Sequence, residues 1–438
     1  MAEVCPFCGI QYKEEKVSNL GIVICPPYDE ISPAKQKLYY QKSDYNVISL
    51  ELPAQPSAGS TRSRSKYGNA AMTLKSWLGE GVLQADGSPA FYLHDHYFSY
   101  DGRRRRRELI ARVKLAPWGE GIYPHEETST KMKRDRLQML RTCQTAPSPI
   151  LALYQGRDKE NAGIFSSVSQ HDPPVDLIDS GERHLVWAIT EPQLVRQISG
   201  LLSDLPFYVA DGHHRYETAL AYQRERIEQL SSPTGKEAFN YIMMSLVEFS
   251  DPGLVVWPVH RLVRGISADT RAKLIHWLTN QDLFTVETNP LADIKANLAE
   301  NIFHKLKPAE GEGALLGVLG LEDDSLIILR QRPDVSIDKA MPAARSQAYR
   351  ELSVSLLNHL ILEEILGIDS SKDDVKYTAD VDEAYQRVTE GDYQLAFITS
   401  LPEVEVIKTI ADAGDRMPRK STYFYPKVPA GLVINPLW

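Results

Sequence analysis

Asp211, Gly212, His213, His214 and Arg215 stand in an unbroken row between the apolar Phe207-Tyr208-Val209-Ala210 and a helical run that begins at Tyr216. A short strand ending in this polar knot, with Gly212 free to take unusual backbone angles, places two imidazoles and a guanidinium on the first turn of a helix. The unpaired amides of that turn and its dipole favour an anion, and a phosphate fits the geometry. Asp211 is the odd member, because a carboxylate repels phosphate unless it holds a metal, orients a histidine or takes a proton from an attacking hydroxyl. A buried histidine pair capping a helix is the plain alternative.

Two further clusters have chemical potential. Pro124-His125-Glu126 follows a strand-like Gly121-Ile122-Tyr123, and a carboxylate at a strand end beside His125 is of the right type for a general base. Lys131, Lys133, Arg134 and Arg136 crowd the first half of a helix expected over Ser129 to Arg141, against the helix dipole, so packing or a ligand must offset them. A salt bridge from Glu126 to that cluster, or a capping role, is the alternative. Near the C-terminus, Arg416, Arg419, Lys420, Ser421, Thr422 and Lys427 fall in a Pro-bounded loop after a helix ending near Gly414. That density of donors makes a phosphate or carboxylate clamp, with Tyr423, Phe424 and Tyr425 available to stack on a base. A loop packed on the body by its aromatics is the other reading.

The Asp211 to Arg215 run resembles the phosphate-binding turn of the ParB/sulfiredoxin superfamily, which includes a free-serine kinase. A second resemblance runs along nearly the whole chain. Its motifs are Cys25-Pro26-Pro27-Tyr28-Asp29-Glu30-Ile31-Ser32, Pro124-His125-Glu126 with Thr128, Asp135-Arg136-Leu137, Ser148-Pro149-Ile150, the Asp211 run, and Arg416-Met417-Pro418 with Lys420 to Lys427. Together they resemble the bacterial family catalogued as domain of unknown function 1015, which supplies no reaction. The resemblances imply an α/β fold of mixed α+β elements, with a ParB/sulfiredoxin-like nucleotide-binding core and an additional α/β subdomain. They also add Tyr28, Asp29, His125 and Arg136 to the candidate clamp.

The function expected from these clusters is that of a small-molecule kinase using ATP, ADP or CTP with Mg²⁺. His213, His214 and Arg215 hold phosphates, Asp211 orients Mg²⁺ or a histidine, and Glu126 deprotonates the acceptor, which the local resemblance makes serine-like. Phosphoryl transfer asks mainly for positioning and charge neutralisation, which cationic turns and two separate acids supply. A CTP-binding switch or DNA-associated module is the alternative; it needs a helix-turn-helix and a basic face, and neither stands out. A hydrolase or other non-redox enzyme using the histidine pair is a third.

Composition sets the frame. With 438 residues, 43% hydrophobic and 24% charged, the chain has material for two or three ordinary globular cores. A net charge of −9 argues against broad nucleic-acid binding. No apolar run approaches a membrane span, and the first residues lack a leader pattern, so a cytoplasmic location is expected. Four cysteines are too few for a disulfide scaffold. Cys5-Pro6-Phe7-Cys8 is half a zinc knuckle without a matching second pair, with Cys25, His94 and His96 as conceivable further ligands and two free thiols as the alternative.

The elements that must position these groups can be read in part. Val23-Ile24-Cys25 ends in the rigid Pro26-Pro27, and Ser32-Pro33 opens a helix through about Gln41. Residues 54–66 form a polar loop, Ala70 to Leu78 a helix, and Phe91 to Phe98 with Arg107 to Leu115 a hairpin turning at Asp101-Gly102. Arg103 to Arg107 then decorate a strand surface. Ser148 opens a buried strand through Tyr154 in a structural role. Strands at Leu185 to Ile189, Phe207 to Ala210, Tyr241 to Glu248 and Leu254 to Trp257 enclose helices over Glu191 to Leu205 and from the Asp211 turn to about Leu230. His260-Arg261 reads as a surface helix start, and Arg345 to Leu366 as one amphipathic helix whose leucine stripe is core or a dimer face. The expected divisions are 1–260, 261–340 and 341–438. The Tyr28-Asp29 loop, the Glu126 loop, the Asp211 turn and the Arg416 to Lys427 loop are expected to meet in one cleft, since open α/β sheets collect such ends along an edge.

Overall fold

The computed structural model describes residues 2–56, 65–128, 130–156, 160–307, 313–369, 375–400 and 403–438. Most of the loop expected at 54–66, and Ser129 at the expected start of a helix, lie outside them. The chain forms two compact units. One comprises Met1–Pro124, Thr128–Leu254 and Pro426–Trp438; the other comprises His125–Glu127 and Val255–Tyr425.

The first unit is built on a nine-stranded mixed sheet. Its strands are β1 Val4–Cys5, β2 Phe91–Ser99, β3 Arg103–Lys114, β4 Ile122–Pro124, β5 Ile150–Tyr154, β6 Val175–Asp179, β7 Glu182–Ile189, β8 Phe207–Asp211 and β9 Tyr241–Glu248. In space they run β4-β8-β5-β9-β3-β2-β7-β6, with β1 also pairing with β3. β8 is parallel to β4 and β9 is parallel to β5; the remaining pairs are antiparallel. The β2–β3 hairpin turns where expected, with Asp101 and Gly102 both at positive φ.

The alternation of strand side chains gives the sheet two buried faces. Phe91, Leu93, Leu109, Trp187 and Ile189 face helices Glu160–Val168, Pro192–Leu202 and His213–Glu228. Tyr92, Ile110, Val186 and Met243 pack against N-terminal residues such as Phe7, Val23, Val47 and Trp77. Ser32 caps helix Pro33–Lys42 by accepting from the Lys35 amide, as its position before a proline predicts.

The second unit carries a six-stranded, wholly antiparallel sheet in the order Phe284–Pro290, Ser325–Gln331, Leu315–Leu319, Leu395–Thr399, His260–Val263 and Val375–Thr378. A separate ribbon pairs Val255–Pro258 with Thr422–Tyr425. Among the described residues, no helix is long and apolar enough to cross a membrane.

Several expectations change. His260 and Arg261 are fully buried strand residues rather than a surface helix start. Strand pairing on both sides overrides the turn signal of Pro258. Arg345 to Leu366 is not one helix: Gln347–Arg350 forms a short helix, Leu352 is extended at φ −68 and ψ 131, and Ser353–Leu356 leads into a π-helix over Leu357–Ile365. The i→i+5 winding widens the buried stripe, which a 3.6-residue period does not anticipate. The five arginines are not uniformly superficial, since Arg106 is fully buried and Arg107 makes a two-pronged contact with Asp95. The expected C-terminal clamp loop contains a strand, Thr422–Tyr425, with Tyr425 stacked 4.2 Å from Trp257.

Candidate functional site

Four buried residues of β8 deliver Asp211 to the strand end, where the register with β5 slips between Val209 and Asp211. Gly212 follows at φ 98, in the left-handed region, and helix His213–Glu228 starts at once. A side chain at Gly212 would be strained by that angle and would meet Ile150 and the Arg215 guanidinium at about 3.0 Å. The glycine therefore allows Arg215 to fold back over the turn. Its Nη2 donates to Asp211 Oδ2 at 2.7 Å and its Nη1 to the Pro149 carbonyl.

Lys427, returning from the C-terminal segment, donates to the other Asp211 oxygen at 2.9 Å and lies 3.7 Å from Glu30. Burial opposes both cationic charges, yet the surrounding carboxylates prevail. Asp211, Asp29 and Glu51 hold the Arg215 pKa above its ordinary value, and Asp211, Glu30 and Asp29 do the same for Lys427. Asp29 sits on the helical turn Tyr28–Glu30 after the Pro26-Pro27 pair, with its Oδ1 shielded from solvent and without a hydrogen-bond partner. His213 is buried with its ring 6.3 Å from that of Trp118, while His214 is half-buried. On the next turn, Glu217 accepts from Lys133, Thr128 and Trp118.

Beside this turn lies a largely apolar cavity, partly open to solvent. Tyr28, Met139, Tyr222, Phe239 and Tyr241 form much of its wall, and Arg136 and Arg215 supply charge. Glu51, only 2% exposed, lines it too, accepting from the Tyr28 amide and from the Ser148 hydroxyl. Arg136 donates to the Glu51 carbonyl at 2.6 Å and stacks 4.1 Å over the Tyr28 ring. Glu51 belongs to none of the motifs that single out the other site residues. Its signal was a lone carboxylate inside the apolar run Val47-Ile48-Ser49-Leu50-Glu51-Leu52, a place where burial demands partners.

The second unit gathers the other candidates. Glu126 accepts from the backbone amides of Lys420 at 2.8 Å and Ser421 at 3.4 Å. His125, fully buried, has its Nε2 2.9 Å from Thr422 Oγ1, and its carbonyl accepts from the Met417 amide. Lys420 holds a left-handed φ of 58, and the Ser421 hydroxyl donates to the Pro418 carbonyl. Arg416 is half-buried, its amide donating to Asp415. The buried Arg261 stacks 5.4 Å from Tyr377, and its Nε and Nη2 have no hydrogen-bond partner. Thus Tyr28, Asp29, Arg136, Asp211, Gly212, His213, His214, Arg215 and Lys427 belong to the first unit, and His125, Glu126, Arg416, Lys420, Ser421 and Thr422 to the second.

Cys5 and Cys8 are half-buried free thiols, and burial pushes the Cys5 pKa up to about 11, away from the thiolate a metal requires. Among the described residues, His94 and His96 group with His184 and not with the cysteines.

The fold is mixed α/β, and the chain belongs to the family described as "Protein of unknown function (DUF1015)", whose model matches residues 4–344. No curated protein matches it. Three solved structures show distant likeness. A conserved hypothetical protein from Pyrococcus furiosus is 13% identical, with 74% of this chain and 93% of that one covered and a TM-score of 0.35. A free serine kinase in complex with ADP is 12% identical, with 72% and 87% covered and a TM-score of 0.35. SbnI from Staphylococcus aureus, with a C-terminal truncation, is 10% identical, with 74% and 87% covered and a TM-score of 0.35. At that TM-score none of them fixes an activity for this chain.

Proposed function

We propose that the first unit binds a nucleoside di- or triphosphate and that the protein transfers phosphate to a small hydroxyl compound. The observation that carries this reading is the double position of Arg215, which lines the apolar cavity and is also fastened to Asp211 at the left-handed turn. A base and ribose among the cavity tyrosines would bring the phosphates to Arg215, Lys427 and the opening amides of helix His213–Glu228, with His213 and His214 on the same turn. Asp211 and Glu30 supply oxygen ligands for Mg²⁺, the usual neutraliser of transferring phosphates.

The proton acceptor is assigned to Asp29. Its Oδ1 has no hydrogen-bond donor in place and so keeps lone pairs available for a hydroxyl proton, whereas both Glu126 oxygens already accept from backbone amides. Glu126, held by two amides, is assigned instead to fixing the Lys420-Ser421 turn. A serine-like acceptor rests on the resemblance of the Asp211 to Arg215 run alone.

Isothermal titration of the full chain with ATP, ADP and CTP in magnesium tests the proposal. Binding of at least one is expected, followed by its turnover with a hydroxylated metabolite pool. Absence of binding to all three rejects it. Binding without phosphorylation of any compound, together with salt-sensitive DNA association, turns the reading to a nucleotide-gated switch.

A further inference from the structure

On the opposite side of the same sheet from Phe91 and Leu93, strands β2, β3 and β7 line up a row of ionisable groups that the phosphate site does not use. In register, His94 faces Glu108, His96 faces Arg106, and His96 also faces His184. The two-residue period puts His94 and His96 on one face, and the pairing puts His184, Glu182, Arg106 and Glu108 there with them. His94 and His96 are fully buried and His184 is 2% exposed. Three buried imidazoles packed together are costly unless each nitrogen is satisfied.

Their nitrogens are not arranged as three separate hydrogen bonds. His94 Nε2 lies 3.0 Å from His184 Nδ1, and the three prospective ligand atoms lie within 4.8 Å of one another. His96 Nδ1 is buried without a hydrogen-bond partner. The outward nitrogens of two rings meet carboxylates: His94 Nδ1 is 3.3 Å from Glu108 Oε2, and His96 Nε2 is 2.7 Å from Glu182 Oε2. Metal-bound histidines are commonly held in this way, one nitrogen on the ion and the other donating to an acid that fixes tautomer and orientation. Glu108 is itself fixed by Arg106 at 2.6 Å and by the Ser245 hydroxyl, so the charge of Arg106 is answered before any ion enters.

We infer that His94, His96 and His184 form a binding site for a divalent first-row transition metal of the Zn²⁺ class, with Glu108 and Glu182 as positioning residues. Three neutral imidazoles suit Zn²⁺ and its neighbours and do not suit Mg²⁺ or Ca²⁺, which prefer oxygen. Nitrogens about 2.0–2.1 Å from a tetrahedral ion stand roughly 3.4 Å apart, so an ion must draw the set inward from its present spread of up to 4.8 Å. Three protein ligands leave a fourth position for water or another exchangeable group. The inference is independent of the nucleotide proposal.

The test uses the full chain, stripped with a chelator and titrated with Co²⁺ and Zn²⁺. The expected result is uptake of one ion per chain, with Co²⁺ giving the intense visible absorption of a low-coordinate site and Zn²⁺ displacing it. His184→Ala should abolish the high-affinity uptake, Glu182→Gln should weaken it by about 10–100-fold, and the double substitution Cys5→Ser/Cys8→Ser should leave it unchanged. Glu182 is part-exposed, so its variant keeps the test decisive if His184→Ala fails to fold. No stoichiometric uptake by the wild-type chain, full-strength uptake by Glu182→Gln, or loss of uptake in the cysteine variant overturns the inference.

Discussion

Lys427 and Asp211 lie 216 positions apart, yet Lys427 Nζ donates to Asp211 Oδ1 at 2.9 Å while Arg215 occupies the second carboxylate oxygen. Asp211 therefore fastens the C-terminal segment to the turn that opens helix His213–Glu228. Because the same two cations are assigned to ligand phosphates, binding must exchange part of this internal pairing for contacts with the ligand. The net affinity contributed by either cation is thereby less than its contact energy alone.

Arg215→Ala is expected to weaken nucleotide binding by about 1.5–3 kcal/mol, the range for a charge-assisted hydrogen bond, or roughly 10–150-fold in Kd. Titration calorimetry beside thermal melts separates this from collapse of the turn. Unchanged affinity in a folded variant would remove Arg215 from the ligand site.

Magnesium should be required for tight binding. Asp211, Asp29 and Glu30 outnumber Lys427 and Arg215 in their immediate surroundings, so a bare polyphosphate meets a site with surplus negative charge. A bridging cation removes that repulsion. Chelation of magnesium is expected to weaken nucleotide affinity about tenfold or more; equal affinity with and without it counts against the metal role assigned to Asp211 and Glu30.

Much of this site was legible because its signals are local. The Asp211-Gly212 turn, the Ser32 cap and the Asp101-Gly102 hairpin each depend on a few adjacent residues with firm backbone preferences. The placement of Glu51 beside Ser148 and Tyr28 was not legible, since it depends on contacts between distant segments. His184 was missed for the same reason: its relation to His96 exists only once β7 pairs with β2. Arg106 and Arg261 show the limit of reading charge as surface, because sheet pairing enclosed both.

Glu126→Gln should act on stability. The two backbone donors are served by different carboxylate oxygens; glutamine puts an NH₂, which cannot accept, in place of one of them, and without the charge the remaining bond is weaker. A loss of about 1–2 kcal/mol in denaturant unfolding is expected, with nucleotide affinity preserved. If unfolding is unchanged while turnover falls about a hundredfold, Glu126 is the general base after all.

The buried His260 predicts a specific response to acid. Burial first, and the adjacent Arg261 second, lower its pKa to about 3, against roughly 6.5 in an unfolded chain. Its Nδ1 accepts from the Thr399 amide at 3.3 Å, which needs the neutral ring. Between those two values the unfolded state binds a proton that the folded state refuses, so the contribution is fully present above about pH 6.5 and is lost as pH falls toward 3. At pH 5 the loss from this group alone is about 2 kcal/mol relative to pH 7. His260→Gln keeps an acceptor for Thr399 and does not titrate. Urea unfolding of both proteins at pH 7 and pH 5 should show a smaller acid-induced loss in the variant; an identical loss would mean that His260 is not held neutral by its surroundings.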